Sequence, residues 1–440
     1  MFEADRSGIK FGPFWIRPGL TRLNVAAVMF GSFSTVAMIV VMSIMQPYIL
    51  TEIVNIPFNE QGTVTGRLHL LQELVTILLV GFMGAWSDRV GRRFVYVLGF
   101  LILGAGYLVY PLASSETELV VYRLVFAVGV AMTPVMLSTT IQDTPQEVSR
   151  GKWLGVSNVL QGLGVVLIST AILSQAPGWL TAYGFDAVMA GRLTFWFAAG
   201  FCVFAALILR ASLAEDIPGG KQQDSLFAGL RHGIRRGRQN PRLALAFGAA
   251  FIGRGDLVVV GSFLTLWVTQ AGIDHGMTTA AAVGRAGMMF GIVQISAMLW
   301  AYCMGMLADR INRVTGLCIA LTMAAIGYAA MGLFADPFDG SMFALAILLG
   351  AGEVSVIVTA GSLLGQEAGW KKRGAVGGVF NLMGGIGIMT VSYFGGIIFD
   401  EIGRSAPFTV MGILNGILLI AGLVVRFRSG EPIAEQQEKG

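Results

Sequence analysis

A chain of 440 residues with 55% hydrophobic and 13% charged residues, at a mean hydropathy of +0.71, has too little polar surface for a water-soluble domain. Its 59 glycines suit helices that approach closely in lipid, where burying apolar surface no longer drives association. The net charge of +4 is not a nucleic-acid signature, because the basic residues gather in the connections between apolar runs.

The chain opens with Arg6, Lys10, Arg17 and the aromatic stretch Phe11–Trp15, with no apolar core followed by a cleavage site, so no secretory signal is expected. Apolar runs of spanning length then predict helices over 23–50, 60–86, 94–113, 117–141, 153–176 and 188–210, and, after a polar break, over 243–270, 284–308, 314–334, 341–364, 375–399 and 405–426. Backbone in lipid must satisfy its own hydrogen bonds, so the fold is all-α: an integral membrane protein of twelve helices in two pseudo-symmetric six-helix bundles. The expected organisation is a cytoplasmic segment 1–22, bundles 23–210 and 243–426, a linker 211–242 between them, and a tail 427–440. In the linker, Pro218-Gly219-Gly220 breaks the chain and Asp224 or Ser225 caps a short helix. That helix carries Leu226, Leu230 and Ile234 on one face and Arg231, Arg235 and Arg238 elsewhere, as an amphipathic helix on a membrane surface does.

Lys and Arg set the orientation. Placing both termini in the cytoplasm puts most of the 30 basic residues on the inner side, among them Arg89, Arg92, Arg93, Arg150, Lys152, Arg310, Arg313, Lys371, Lys372 and Arg373. The outer connections carry Glu52, Glu116, Glu118, Asp186, Asp274, Asp336, Asp339, Asp400 and Glu401, with Arg404 as the basic exception. The expected place is a bacterial inner membrane. Cys202, Cys303 and Cys318 lie in apolar runs without zinc-site spacing and read as small hydrophobes. No nucleotide-binding loop, metal-ligand cluster or nucleophile–base set is visible, so no cofactor, metal or enzymatic activity is expected.

The halves repeat in sequence. Gly84-Ala-Trp-Ser-Asp88-Arg89 matches Gly305-Met-Leu-Ala-Asp309-Arg310, and Gly106-Tyr107 matches Gly327-Tyr328. Gln142-Asp143 has its counterpart in Gln366-Glu367, Arg150-Gly151 in Arg373-Gly374, and Gly162-x-Gly164 in Gly385-x-Gly387. Ordered matches at a nearly constant offset mark two six-helix halves in the same orientation, a transporter architecture.

The segment GAWSDRVGRR, with Gly84, Asp88, Arg89, Gly91, Arg92 and Arg93, resembles at every defined position the loop between the second and third helices of the major facilitator superfamily. The degenerate copy with Gly305, Asp309, Arg310 and Arg313 stands in the corresponding loop of the second half. The resemblance implies a secondary transporter working by alternating access, with a central cavity lined mainly by the first, fourth, seventh and tenth spans. The subfamily stays open. Arg123 stands where the family often has an arginine, but the usual Gln-Gly after it is missing; the fifth span lacks the Gly-Pro of proton-coupled drug antiporters, and no Pro-Glu-Ser-Pro-Arg follows the sixth.

Physically, the inner loops read as a latch. Asp88 sits beside Arg89, Arg92 and Arg93, while Asp143 and Glu367 are the expected carboxylate partners for Arg89, Arg150, Arg310 or Arg373. Within the spans, charges are few and costly. Arg254 lies about 18 Å along the seventh span, near mid-membrane, and Glu353 about as deep in the tenth. Asp256 is two residues from Arg254, so the two point to nearly opposite sides. Either Arg254 pairs with Glu353, or Asp256 does the cavity work while Arg254 packs elsewhere. In the first half, Glu73 and His69 share a face of the second span, one turn apart, with Arg123 in the fourth. Gln46, Gln161, Gln294 and Asn158 are further cavity candidates.

These readings converge on a monomeric carrier of a small organic solute, with Arg254 suited to an anionic group on it, coupled to protons through Asp256, Glu353 or Glu73. The partners are then substrate, protons and the lipid bilayer, with no nucleic acid. The rival readings are a lipid-translocating member of the same fold and a non-transporting membrane sensor.

Overall fold

The computed structural model describes residues 8–215, 226–334, 336–368 and 373–428. Among them, twelve helices are long and apolar enough to cross a membrane. In the first half these are α1 (Arg22–Ile53), α2 (Phe58–Val90), α3 (Arg92–Leu112), α4 (Glu116–Asp143), α5 (Glu147–Ala182) and α6 (Ala187–Ser212). A shorter helix, α7 (Leu226–Gln239), precedes the second set. That set comprises α8 (Pro241–Asp274), α9 (Thr279–Arg310), α10 (Arg313–Phe334), α11 (Ser341–Glu367), α12 (Gly374–Glu401) and α13 (Ala406–Arg428). Several helices run past the apolar segment that defines them. Polar caps explain this at three starts: Thr21 with Asn24 forms a capping box on α1, Ser115 caps α4 and Asp186 caps α6.

Packing repeats between the halves. α3 lies against α4 and α6, as α10 lies against α11 and α13. A side chain at Gly164 of α5 would run into the carbonyl of Phe33 on α1, and one at Gly387 of α12 into the carbonyl of Phe251 on α8. The paired glycines seen in the sequence therefore let the backbones touch at equivalent crossings. A π-helical turn closes α1 at Ile49–Ile53, and others interrupt α5 at Val165–Leu173 and α8 at Val259–Phe263; within a helix such turns rotate the side chains that follow them.

The chain divides into two compact units. One holds Met1–Gln222, Val258–Ile295 and Val391–Arg404; the other holds Gln223–Leu257, Ser296–Thr390 and Ser405–Gly440.

In the first unit, the amino-terminal segment is more than a free end. Strands β1 (Lys10–Phe11) and β2 (Phe14–Trp15) form a hairpin, and the chain then straps along the connection between α4 and α5. Gln146 donates from its backbone to the Trp15 carbonyl at 2.9 Å and from its side chain to that of Ile16 at 2.9 Å. The Trp15 amide donates to Ser149 Oγ at 2.7 Å, Ile16 is fully buried, and Phe14 meets the Trp153 ring edge-on at 5.4 Å.

In the second unit, α7 forms where an amphipathic helix was expected, with a rotated buried face. Leu230 packs on Leu243, Phe247, Val376 and Val379, and Gly233 and Gly237 face Val379 and Phe247. Ile234 is 45% exposed, because the two glycines permit the closer approach and turn it outward. Arg231, Arg235 and Arg238 are exposed as expected. Pro218, Gly219, Gly220, Asp224, Ser225, Lys371 and Lys372, and the side chains of Leu226 and Arg373, lie outside what is described.

Candidate functional site

Two buried polar clusters stand out, one in each unit. In the second unit, Asp256 on α8 is fully buried. Asn415 Nδ2 of α13 approaches both carboxylate oxygens of Asp256 at 3.4 Å, and the Tyr328 hydroxyl of α10 donates to its backbone carbonyl at 3.2 Å. Glu353 on α11 is 2% exposed and close enough to interact electrostatically with Asp256. Neither Glu353 oxygen has a hydrogen-bond partner among the described residues. Arg254 does not pair with it: Arg254 is exposed, its stem lies along Gly384, and no ion pair among the described residues includes it. The reason is helical phase. With Asp256 turned toward Tyr328 and Asn415, a residue two positions earlier points away. Of the two arrangements the sequence left open, Asp256 inside and Arg254 elsewhere is the one formed.

In the first unit the buried charge has the opposite sign. Arg123 on α4 is 1% exposed and lacks a carboxylate within ion-pair distance among the described residues. Its Nη1 donates to Gln46 Oε1 at 3.3 Å, and the Tyr110 hydroxyl donates to the same oxygen at 2.6 Å. The rings of Tyr110 and Phe126 lie 5.9 and 5.5 Å from the guanidinium carbon, and Nε has no hydrogen-bond partner among the described residues. His69 Nε2 lies 3.4 Å from Arg123 Nη2 and 2.8 Å from Ser262 Oγ. Ser262 belongs to the π-helical turn of α8, six residues after Asp256 in the chain. Glu73, one turn from His69 on α2, is half-buried. Gln161 bonds locally to Ser157 and Asn158; Gln294 is half-buried and Asn158 exposed.

The first unit is also closed on the side away from its amino-terminal strap. Asp400, at the end of α12, accepts from the Gly62 amide at 2.9 Å and the Thr63 amide at 2.6 Å, in the second turn of α2. Gln270 Nε2 donates to Gln61 Oε1 at 3.0 Å, Gln175 donates to the Gly284 carbonyl at 2.7 Å, and Arg404 pairs with Asp274.

In the loops read as a latch, the expected residues meet, but with different partners. Asp143 pairs with Arg92 and lies 3.9 Å from Arg17 of the amino-terminal strap, rather than meeting Arg89 or Arg150. Arg92 is 8% exposed because α3 packs its first turn on α4, which carries Asp143. Arg150 is taken by Glu147 at 2.7 Å, Arg93 pairs with Glu215, and Asp88 is 3.7 Å from Arg92. Arg89 is exposed. Gly91 stands at φ +93°, a backbone state that favours glycine and turns the chain from α2 into α3. In the second copy, Asp309 lies 3.4 Å from Arg313, Arg310 is exposed, and Gly305, like Gly84, has open space beside it. Glu367 meets Arg242 at 3.5 Å and Asn240 at 2.8 Å. Arg17 and Arg242 each enter the first span of their half, so each half ties its fourth span's carboxylate to an arginine of its own entry segment.

Sequence reasoning passed over Asn415, Tyr110, Ser262, Arg17 and Arg242 as partners. Asn415 carried a signal, a lone carboxamide inside the apolar run GILNGILL; the others become visible only once the helices are packed.

Comparison with known proteins gives one family model, described as Major Facilitator Superfamily, matching residues 27–302 and 281–440. Among curated proteins, the magnetosome protein MamZ of Paramagnetospirillum magneticum is 28% identical over 83% of this chain and 57% of its own length. This chain thus spans little more than half of that relative. The magnetosome protein MamH of the same organism is 27% identical, covering 93% of each chain. Among solved structures, the nucleoside transporter NupG superposes with a TM-score of 0.73 at 12% identity, over 93% of this chain and 100% of its own. That likeness establishes the fold.

Proposed function

Because the chain belongs to the Major Facilitator Superfamily, we propose that it is a secondary transporter that moves a small organic solute across a bacterial cytoplasmic membrane by alternating access, with coupling to protons. Both termini face the cytoplasm in this reading, and the working unit is a monomer without cofactor. The observation that carries the coupling is Glu353, a buried carboxyl within a membrane span whose oxygens have neither a hydrogen-bond partner nor an ion pair among the described residues. An ionised carboxylate at mid-membrane costs at least about 2.5–3.5 kcal/mol, and a bound proton removes that cost. Asp256, close enough to interact with it electrostatically, makes simultaneous ionisation of both costlier still.

The substrate's charge is read from Arg123. A buried guanidinium held by an amide oxygen and aromatic faces keeps a donor, Nε, for an incoming anion. Arg254, the cation favoured from sequence for this task, is exposed and supports it less.

The test is transport in proteoliposomes with an internal pH-sensitive dye, run across a panel of organic anions, sugars, amphiphiles and drugs. Substrate-dependent proton movement is expected with organic anions. Proton movement with an amphiphile alone would favour a lipid carrier, and no movement with any member would favour a sensor.

A further inference from the structure

In the first unit, a cavity of about 640 Å³ opens beside the start of α3 and the end of α6. Among the described residues, its lining sets four arginines, Arg89, Arg92, Arg93 and Arg210, against two carboxylates, Asp88 and Glu215. Arg92 is already engaged by Asp143, and Glu215 serves two cations at once, pairing with Arg93 and lying 3.9 Å from Arg210. Arg89 has no carboxylate within ion-pair distance among the described residues. Among the described residues, the cavity therefore keeps positive charge that its carboxylates do not neutralise.

The other wall is apolar. Phe94 and Leu101 are 53% and 42% exposed and, with Val97 between them, lie on one face of α3. Seven residues of helix carry this track about 10 Å from the arginines into the span. Trp86 meets Phe94 edge-on at 6.0 Å, placing two aromatic rings at the level where charge gives way to apolar surface.

We propose that this cavity binds an anionic phospholipid of the adjacent leaflet, with its phosphodiester on Arg89 and Arg210 and one acyl chain along Phe94, Val97 and Leu101. A soluble anion would use the arginines and leave the track bare, while a neutral lipid would use the track and leave the arginines unmet. An anionic lipid uses both, and basic recesses between spans on the positively charged side of a membrane protein suit such headgroups. Glu215 is then the competitor that the headgroup displaces from Arg210.

The experiment is native mass spectrometry of the purified chain, titrated with phosphatidylglycerol, phosphatidylcholine or glycerol 1-phosphate. Wild type is expected to retain phosphatidylglycerol in preference to phosphatidylcholine, and Arg89→Gln with Arg210→Gln to lose that preference by about fivefold per arginine. The exposed substitution Glu215→Gln should act in the opposite direction and raise retention, a result that misfolding does not mimic. Equal loss on replacing Arg231 and Arg235, which belong to α7 and line no part of the cavity, would reduce the effect to general surface charge and overturn the site. Equal retention of the two lipids by wild type, or displacement of the lipid by glycerol 1-phosphate at matched concentration, would overturn it as well.

Discussion

In the first half the buried charge is Arg123, surrounded by Gln46, His69 and two aromatic faces; in the second it is Asp256 with Glu353, surrounded by Asn415 and Tyr328. Neither set has a counter-ion of its own among the described residues. Elsewhere the halves copy one another: Gly164 and Gly387 make equivalent backbone crossings, and Asp143 and Glu367 each hold an arginine from the segment entering their half. What the fold needs appears twice. Charges that appear once, of opposite sign in the two halves, are what the proposed division into an anion site and a proton site would predict.

The largest expected effect is at Glu353. Glu353→Gln keeps the shape of the side chain and cannot release a proton, so proton-driven accumulation in proteoliposomes should fall to background while downhill exchange persists. Removing one member of a buried ion pair costs about 3–5 kcal/mol, but Glu353 has no cationic partner among the described residues to strand. Thermal stability should therefore hold or rise. Loss of stability together with preserved accumulation would mark Glu353 as a packing residue and break the contrast between the halves.

Next is Arg123 against Arg254. Arg123→Gln removes a buried donor set, and charge-assisted hydrogen bonds are worth roughly 1.5–3 kcal/mol, so KM for an anionic substrate should rise about tenfold to a hundredfold. Arg254→Gln, at an exposed position, should change KM by less than about threefold. Reversed magnitudes would move the anion site to the second half.

Much of the scaffold was legible in the sequence, for a physical reason. Lipid forces helices of spanning length, so hydropathy sets the number of spans, and the repeat of Asp88 with Asp309 shows their pairing into halves. That Asp256 and Glu353 lie deep in their spans was legible too, but their burial was not, since Arg254 at the same depth is exposed. Partners were another matter. The direction of Arg254 depends on the phase of α8, which the neighbours Tyr328 and Asn415 decide. The pairing of Asp143 with Arg92 rather than Arg89 depends on which face of α3 packs on α4. A one-residue difference in sequence is about 100° on a helix, finer than hydropathy resolves.

At the latch, Asp143→Asn and Asp88→Asn should separate. Arg92 and Asp143 are 8% and 18% exposed, so losing this carboxylate leaves a buried cation with only the more distant Asp88 and should lower stability by up to about 3 kcal/mol. Asp88 is 39% exposed and 3.7 Å from Arg92; its replacement should change stability by no more than about 1 kcal/mol. Transport should nonetheless drop, because a small bias suffices to shift nearly balanced states. Denaturation and uptake measured on the same preparations test the split, and wild-type transport by Asp88→Asn would leave the motif an orientation signal alone.

The smallest effects should distinguish the two entry segments, where the halves look most alike. Arg17 is 41% exposed and 3.9 Å from Asp143, which already has Arg92. Arg242 is 9% exposed and 3.5 Å from Glu367, with Asn240 at 2.8 Å on the same carboxylate. Exposure screens the first pair, so Arg17→Gln should cost no more than about 0.5 kcal/mol and disappear within error at high salt. The second pair is shielded, so Arg242→Gln should cost more and keep its effect as salt rises. The strap itself should stay docked in Arg17→Gln, since the backbone bonds to Gln146 and the burial of Ile16 hold it independently of the charge. Limited proteolysis of the amino-terminal segment reads this directly. Faster cleavage in Arg17→Gln than in wild type would mean that the ion pair holds the strap, and that the two entry segments are equivalent after all.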